Sequence, residues 1–100
     1  MSVTSKISKN GTDIEIIING RFDFSIHKEF RDIYKDRNPK IGYIVNLVNT
    51  EYMDSSALGM LLLLREHVEM DKNKLRIMNC PQSILSVLKL ANLDRLIRID

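Results

Sequence analysis

Ile41-Gly42-Tyr43-Ile44-Val45-Asn46-Leu47-Val48 is the stretch whose reading decides the architecture. It is apolar and β-branched with little alternation, the pattern of a central strand buried on both faces. Strands of that kind belong to parallel sheets, whose neighbours are joined by crossover helices. The flanking sequence supplies the helices. Downstream, Asn49 to Met53 reads as a short connection, and Asp54 stands where a helix N-cap belongs. A helix then runs from Ser55 to about Met70, closed by the polar turn Asp71-Lys72-Asn73-Lys74. Upstream, Ser25 caps a helix whose apolar positions Ile26, Phe30, Ile33 and Tyr34 recur at helical spacing, ending near Arg37 before Pro39.

Working outward, an Asn10-Gly11 turn signal separates a weak strand near Val3 to Ser8 from a stronger one, Ile14-Glu15-Ile16-Ile17-Ile18, which Gly20 ends. Leu75 to Met78 reads as a further strand. Pro81 takes the first position of a helix with Ile84, Leu85, Leu88 and Ala91 on one face, stopped at Asn92. The tail Leu96-Ile97-Arg98-Ile99 either adds an edge strand or packs down. The order β-β-α-β-α-β-α predicts an α/β domain with a mixed sheet of about four strands and two right-handed crossovers.

Composition agrees with one small domain spanning residues 1–100. Hydrophobic side chains make up 44% of the chain and charged ones 28%, enough apolar matter for a core. Fifteen basic residues against thirteen acidic leave a formal charge of +2, too balanced for a protein whose affinity comes from neutralising phosphates, so nucleic acid is not an expected partner. The single cysteine, Cys80, has no internal disulfide partner, and its position before Pro81 suits a packed thiol in a reduced, cytoplasmic setting. The first residues lack the apolar stretch of a signal peptide. The longest apolar run, Met60 to Leu64, is far short of a membrane span, so no direct membrane insertion is expected.

The most informative segment is Tyr52-Met53-Asp54-Ser55-Ser56-Ala57-Leu58-Gly59-Met60. Two hydroxyls lie at a helix N-terminus, where unpartnered N–H groups and the macrodipole favour negative charge, so a phosphate on Ser55 would be stabilised there. Asp-Ser-Ser before an apolar run is equally the start of an ordinary helix. Gly59 inside the helix costs about 1 kcal/mol relative to Ala, which makes sense if another backbone or a partner must come close. The leucines Leu61 to Leu64 cover about 300° of the helix and cannot all face one sheet. Either neighbouring helices cover the remainder or part of it forms an apolar docking surface.

The chain resembles the STAS family, the domain of anti-sigma-factor antagonists. Asp54-Ser55-Ser56-Ala57-Leu58-Gly59 is similar to that family's Asp-Ser-Ser/Thr-Gly-Leu-Gly segment, Gly20-Arg21-Phe22-Asp23 to its Gly-x-hydrophobic-Asp, and Ile44-Val45-Asn46-Leu47 to its Val-Leu-Asp/Asn-Leu strand. The resemblance runs from about Ile14 to Ile99. It implies a phosphorylation-controlled binding module that captures a partner when Ser55 is unphosphorylated and releases it when phosphorylated. The implied partners are a serine kinase, often an anti-sigma factor with a GHKL-type ATP site, and a PP2C-type phosphatase. The controlled process would be transcription through a sigma factor, or another output such as biofilm formation. Asp23, Asp54, Ser56, Ala57, Leu58 and Gly59 would form the phosphosite environment and docking surface. Ala57 departs from the family's usual Gly, and its methyl group would narrow a partner's approach. Asp23 either stabilises the first turn of its own helix or sits beside the phosphoserine; Asp54 caps its helix and would also orient Ser55. The alternative implied by the resemblance is a non-switching, small cytosolic STAS subunit of a lipid-transport ABC system.

Catalysis by the chain itself is not expected. His27 and His67 have no Cys or His at ligand spacing and read as surface residues, so no metal is predicted. No G-x-S-x-G elbow surrounds Ser55 or Ser56, and no phosphate-binding or dinucleotide fingerprint is present, so no cofactor is implied.

Overall fold

In the computed structural model the residues described are 3–7, 11–38 and 40–100. The predicted strand end at Ser8, the hairpin residue Asn10 and the helix limit at Pro39 lie outside them. The elements in chain order are β1 (Val3–Ile7), β2 (Asp13–Ile18), β3 (Gly20–Phe22), α1 (His27–Tyr34), β4 (Gly42–Asn46), β5 (Thr50–Met53), α2 (Ser55–His67), β6 (Leu75–Met78), α3 (Gln82–Leu90) and β7 (Arg98–Ile99). One 3-10 turn, Phe24–Ile26, leads into α1, and another, Leu93–Arg95, lies between α3 and β7.

Five strands form the main sheet in the order β1-β2-β4-β6-β7. β1 is antiparallel to β2, while β2, β4, β6 and β7 run parallel. The expected α/β class and mixed sheet are present, with β4 in the middle as its sequence requires. The strand count is higher than about four. The tail supplies an edge strand, β7, and the stretch from Gly20 and the supposed connection before Asp54 pair as a separate two-stranded parallel ribbon, β3 with β5.

Register explains where the core lies. Ile14, Tyr43 and Leu75 stand in one row and Ile16, Val45 and Ile77 in the next, all buried on the same face. Phe30 and Tyr34 of α1, Ala57, Leu61 and Leu64 of α2, and Ile84 and Leu88 of α3 belong to the same cluster. The other face carries Lys6, Glu15, Ile44, Arg76 and Arg98 in one row, and of these only Ile44 is buried. Burial on both faces, expected for the central strand, therefore holds from Gly42 to Val45 of β4 but not beyond: Asn46, on the same face as Ile44, is half-buried, and Val48 lies outside the strand and is exposed.

Helix boundaries differ from the sequence reading for local reasons. The carboxylate of Asp23, not Ser25, caps the turn before α1 by accepting from the Ser25 N–H at 3.0 Å. α1 ends at Tyr34, three residues before Arg37, whose Nε instead donates to the Ile33 carbonyl at 2.6 Å. α2 stops at His67 because Glu69 and Met70 take left-handed backbone angles (φ 60° and 61°) that no helix continues. Pro81 is the N-cap of α3, one position before its first helical residue. Asn92, with φ 61°, follows the C-cap Ala91 and ends α3 as predicted, though Ala91 itself is exposed.

His67, read as a surface residue, is half-buried. Its ring lies against Tyr34 and Tyr43, with centroids 5.0 and 5.9 Å away, and Nε2 is buried without a hydrogen-bond partner among the described residues. Cys80 is half-buried, and burial pushes its thiol pKa up, as befits a packed thiol. Among the described residues no helix is long and apolar enough to cross a membrane.

Candidate functional site

The ribbon of β3 and β5 builds the site. Gly20 has φ +82°, a conformation L side chains rarely adopt, and this lets the chain turn from β2 into β3 while its N–H donates to the Asn49 carbonyl at 2.9 Å. Arg21 then pairs with Tyr52 and Phe22 with Met53. Phe22 and Met53 are both buried, anchoring the ribbon in the core. The next residue on each strand is an aspartate, and the Asp54 N–H donates to the Phe22 carbonyl at 3.4 Å. Asp23 and Asp54, 31 positions apart in sequence, thus follow the same paired row.

Each aspartate organises the helical start that follows it. Asp54 Oδ1 accepts from the N–H groups of Ser56 (3.0 Å) and Ala57 (3.2 Å) and from the Ser56 hydroxyl (2.6 Å). It is the predicted N-cap of α2, but the hydroxyl it holds is that of Ser56, not of Ser55. The Ser55 side chain is exposed and makes no hydrogen bond among the described residues. Of the two adjacent hydroxyls, one is tied down and the other is free at the helix N-terminus.

Asp23 accepts from the Ser25 N–H and hydroxyl through Oδ1 and from Arg21 Nε through Oδ2 at 3.0 Å. The Ser25 hydroxyl, followed by Arg21, holds its carboxyl below the ordinary carboxylate range. Of the two roles weighed for Asp23, the cap of its own turn is present, and the residue follows the same paired row as Asp54. Arg21 also lies over the Tyr52 ring, 4.1 Å from its centroid. The sequence alone assigns no role to Arg21 or Tyr52. The signal available was the repeat itself, Phe22-Asp23-Phe24-Ser25 against Met53-Asp54-Ser55-Ser56.

The remaining site residues divide between core and surface. Ala57 is fully buried, so its methyl group packs inward and does not narrow a partner's approach. Leu58 is half-buried. Gly59 is exposed, and a Cβ there would meet no atom within 4 Å, so no packing inside the domain calls for a glycine. Beside it a groove of about 500 Å³ runs between α1 and α2. Leu61 and Leu64 face the core, whereas Leu62 and Leu63 line the groove, with Leu63 55% exposed. Phe24, 62% exposed, lies at the groove with its ring stacked on His27 at 4.0 Å. Neighbouring helices therefore do not cover all four leucines.

Comparison with known proteins places this geometry in context. Residues 5–98 match the family model described as Mlab, STAS domain. A STAS-domain containing protein of Pseudomonas aeruginosa is 41% identical over 102 residues, covering all of both chains. Among solved structures, an anti-sigma factor antagonist from Mycobacterium paratuberculosis is similar with a TM-score of 0.76 at 16% identity, over 98% of this chain and 85% of that one. The anti-sigma factor antagonist SpoIIAA is similar in both of its forms at 15% identity. The unphosphorylated form gives a TM-score of 0.66 over 94% of this chain and 96% of that one, and the phosphorylated form 0.65 over 99% and 91%.

Proposed function

From the premise that the chain belongs to the STAS domain family, we propose that it is a phosphorylation-controlled protein-binding switch with Ser55 as the phosphoacceptor. In this reading it is an antagonist of an anti-sigma factor, or a regulator of the same partner-switching kind. The observation that carries it is the division of labour at the start of α2: Asp54 and Ser56 satisfy each other and the helix end, leaving the exposed Ser55 hydroxyl uncommitted. The chain is substrate and ligand, while the kinase-type anti-sigma partner and a PP2C-type phosphatase supply the catalysis.

Electrostatics gives the direction of the switch. Phosphorylation adds about −1.5 to −2 charges beside Asp54 and Asp23. The helix N-terminus favours that charge by about 0.3–1 kcal/mol, so the domain accommodates it without unfolding. Burying the same dianion against an apolar or acidic partner costs about 2–5 kcal/mol, or roughly 30- to 5,000-fold in affinity. Release therefore arises at the interface, in keeping with a fold that matches SpoIIAA equally well in its two forms.

The test is capture with the Ser55→Ala protein as bait, compared with Ser55→Asp, together with intact mass of the chain from cells. Retention by Ala, loss with Asp and a species about 80 Da heavier that phosphatase removes support the switch. Equal retention by both baits and no heavier species would leave a constitutive subunit, such as one held by an ABC transporter.

A further inference from the structure

The groove between α1 and α2 has a shape that its lining residues define. His27, Phe30, Arg31 and Tyr34 contribute from α1, at spacing i, i+3, i+4, i+7. Ser56, Gly59, Met60 and Leu63 contribute from α2 at the same spacing, with Leu62 beside them, and Phe24 closes the end before α1. Each wall is therefore one face of a helix over two turns, about 10 Å long. Two such ridged walls with a furrow between them match the ridges of a third helix, whose own apolar residues recur at that period.

Gly59 points to an occupant. A glycine within a helix is destabilising, its backbone here needs no left-handed angle, and an added Cβ would touch nothing in the domain. What it leaves open is the furrow. Charge limits what can fill it, because Arg31 lies in the lining and, among the described residues, no Asp or Glu does. Elsewhere on α1, Lys28 and Lys35 both pair with Asp32 at 3.2 and 3.1 Å, whereas Arg31 has no carboxylate partner among the described residues.

We infer that this groove receives an amphipathic helix of a partner protein, apolar along one face and bearing an acidic side chain that reaches Arg31. The inference rests on the reading of the chain as a protein-binding module and names the partner's chemistry. It also fits the sign of the switch, because a phosphate on Ser55 stands next to Ser56 in the groove lining and would repel an acidic helix.

The experiment is a displayed library of helical peptides about three turns long, with the apolar face varied and the flanking positions drawn from Glu, Gln and Lys, selected against the unphosphorylated chain. The expected winners are Glu-flanked. Gly59→Leu, which fills the furrow without touching the fold, weakens them at least about tenfold, and Arg31→Glu reverses the preference towards Lys-flanked peptides. Gly59→Ala raises the melting temperature while lowering peptide affinity, opposite signs that a merely structural glycine would not give. Lys-flanked winners, winners indifferent to both groove substitutions, or no enrichment would overturn the inference. So would self-association of the chain that Gly59→Leu abolishes, which assigns the groove to a second copy. No kinase enters the selection, so peptides that dock equally well to the chain carrying phosphoserine at position 55 would sink the switch and leave the groove standing.

Discussion

At the end of β3 the carboxylate of Asp23 accepts from the Ser25 N–H and hydroxyl; at the end of β5 that of Asp54 accepts from the Ser56 N–H and hydroxyl. The two corners lie side by side on one parallel ribbon and share the pattern Asp-x-Ser, yet the middle residue is an exposed Phe24 in one and an exposed Ser55 in the other. One local device thus presents two kinds of surface, an apolar ring and a free hydroxyl. They also differ in strength. Asp54 holds two backbone N–H groups at the start of a 13-residue helix, while Asp23 holds one at a three-residue turn.

Four measurements would break or sharpen that contrast. The largest effect belongs to the free hydroxyl: phosphoserine placed at position 55 is expected to weaken binding of the partner captured by Ser55→Ala by about 30- to 5,000-fold, while thermal stability moves little. Calorimetry of the two forms reads both quantities. Next comes the stronger cap. Asp54→Ala should cost about 1–2 kcal/mol, seen as a melting temperature lower by several degrees, and a loss no larger than that of Asp23→Ala would erase the distinction between the corners.

A smaller effect separates the adjacent serines. Ser56→Ala removes a part-buried hydrogen bond and should cost about 0.5–1.5 kcal/mol, whereas Ser55→Ala should stay within about 0.5 kcal/mol of the parent. Equal denaturation midpoints would mean that the two hydroxyls are not differently committed. The smallest effect is one of pH. Because the folded-state pKa of Asp23 is lowered, chiefly by the Ser25 hydroxyl and then by Arg21, its contribution is complete above the unfolded value, about 3.9, and fades as pH falls through the lower folded value. The stability gap between the parent and Asp23→Asn should therefore be constant near neutrality and narrow below about pH 4, as melts across that range would reveal.

How far the sequence anticipates this molecule depends on the range of the interaction concerned. The run around Tyr43-Ile44-Val45 announces a central strand, and Asp54 announces a helix start, because both are written in consecutive residues. The ribbon is not legible in that way. Three and four residues are too few for a period to emerge, and what makes Gly20–Phe22 and Thr50–Met53 strands is their pairing with each other. At the first corner, Asp23 and Ser25 are both good caps by residue type, and only the backbone course decides that the aspartate accepts. The leucines of α2 raise the right question, but which of them meet the core and which line the groove follows from where α1 crosses. Ala57 falls within the segment expected to form the docking surface and is buried by packing.

The last strand, β7, has one further consequence. It is two residues long, and Arg98 lies opposite Arg76 with both guanidinium groups drawn to Asp100, at 2.8 and 3.1 Å. An incoming strand from another molecule would find few free backbone groups there and a pair of cations at the border. This edge of the sheet is sealed against growth. The five-residue β1, with Lys6 as its one charged side chain, is the border at which a further strand could be added.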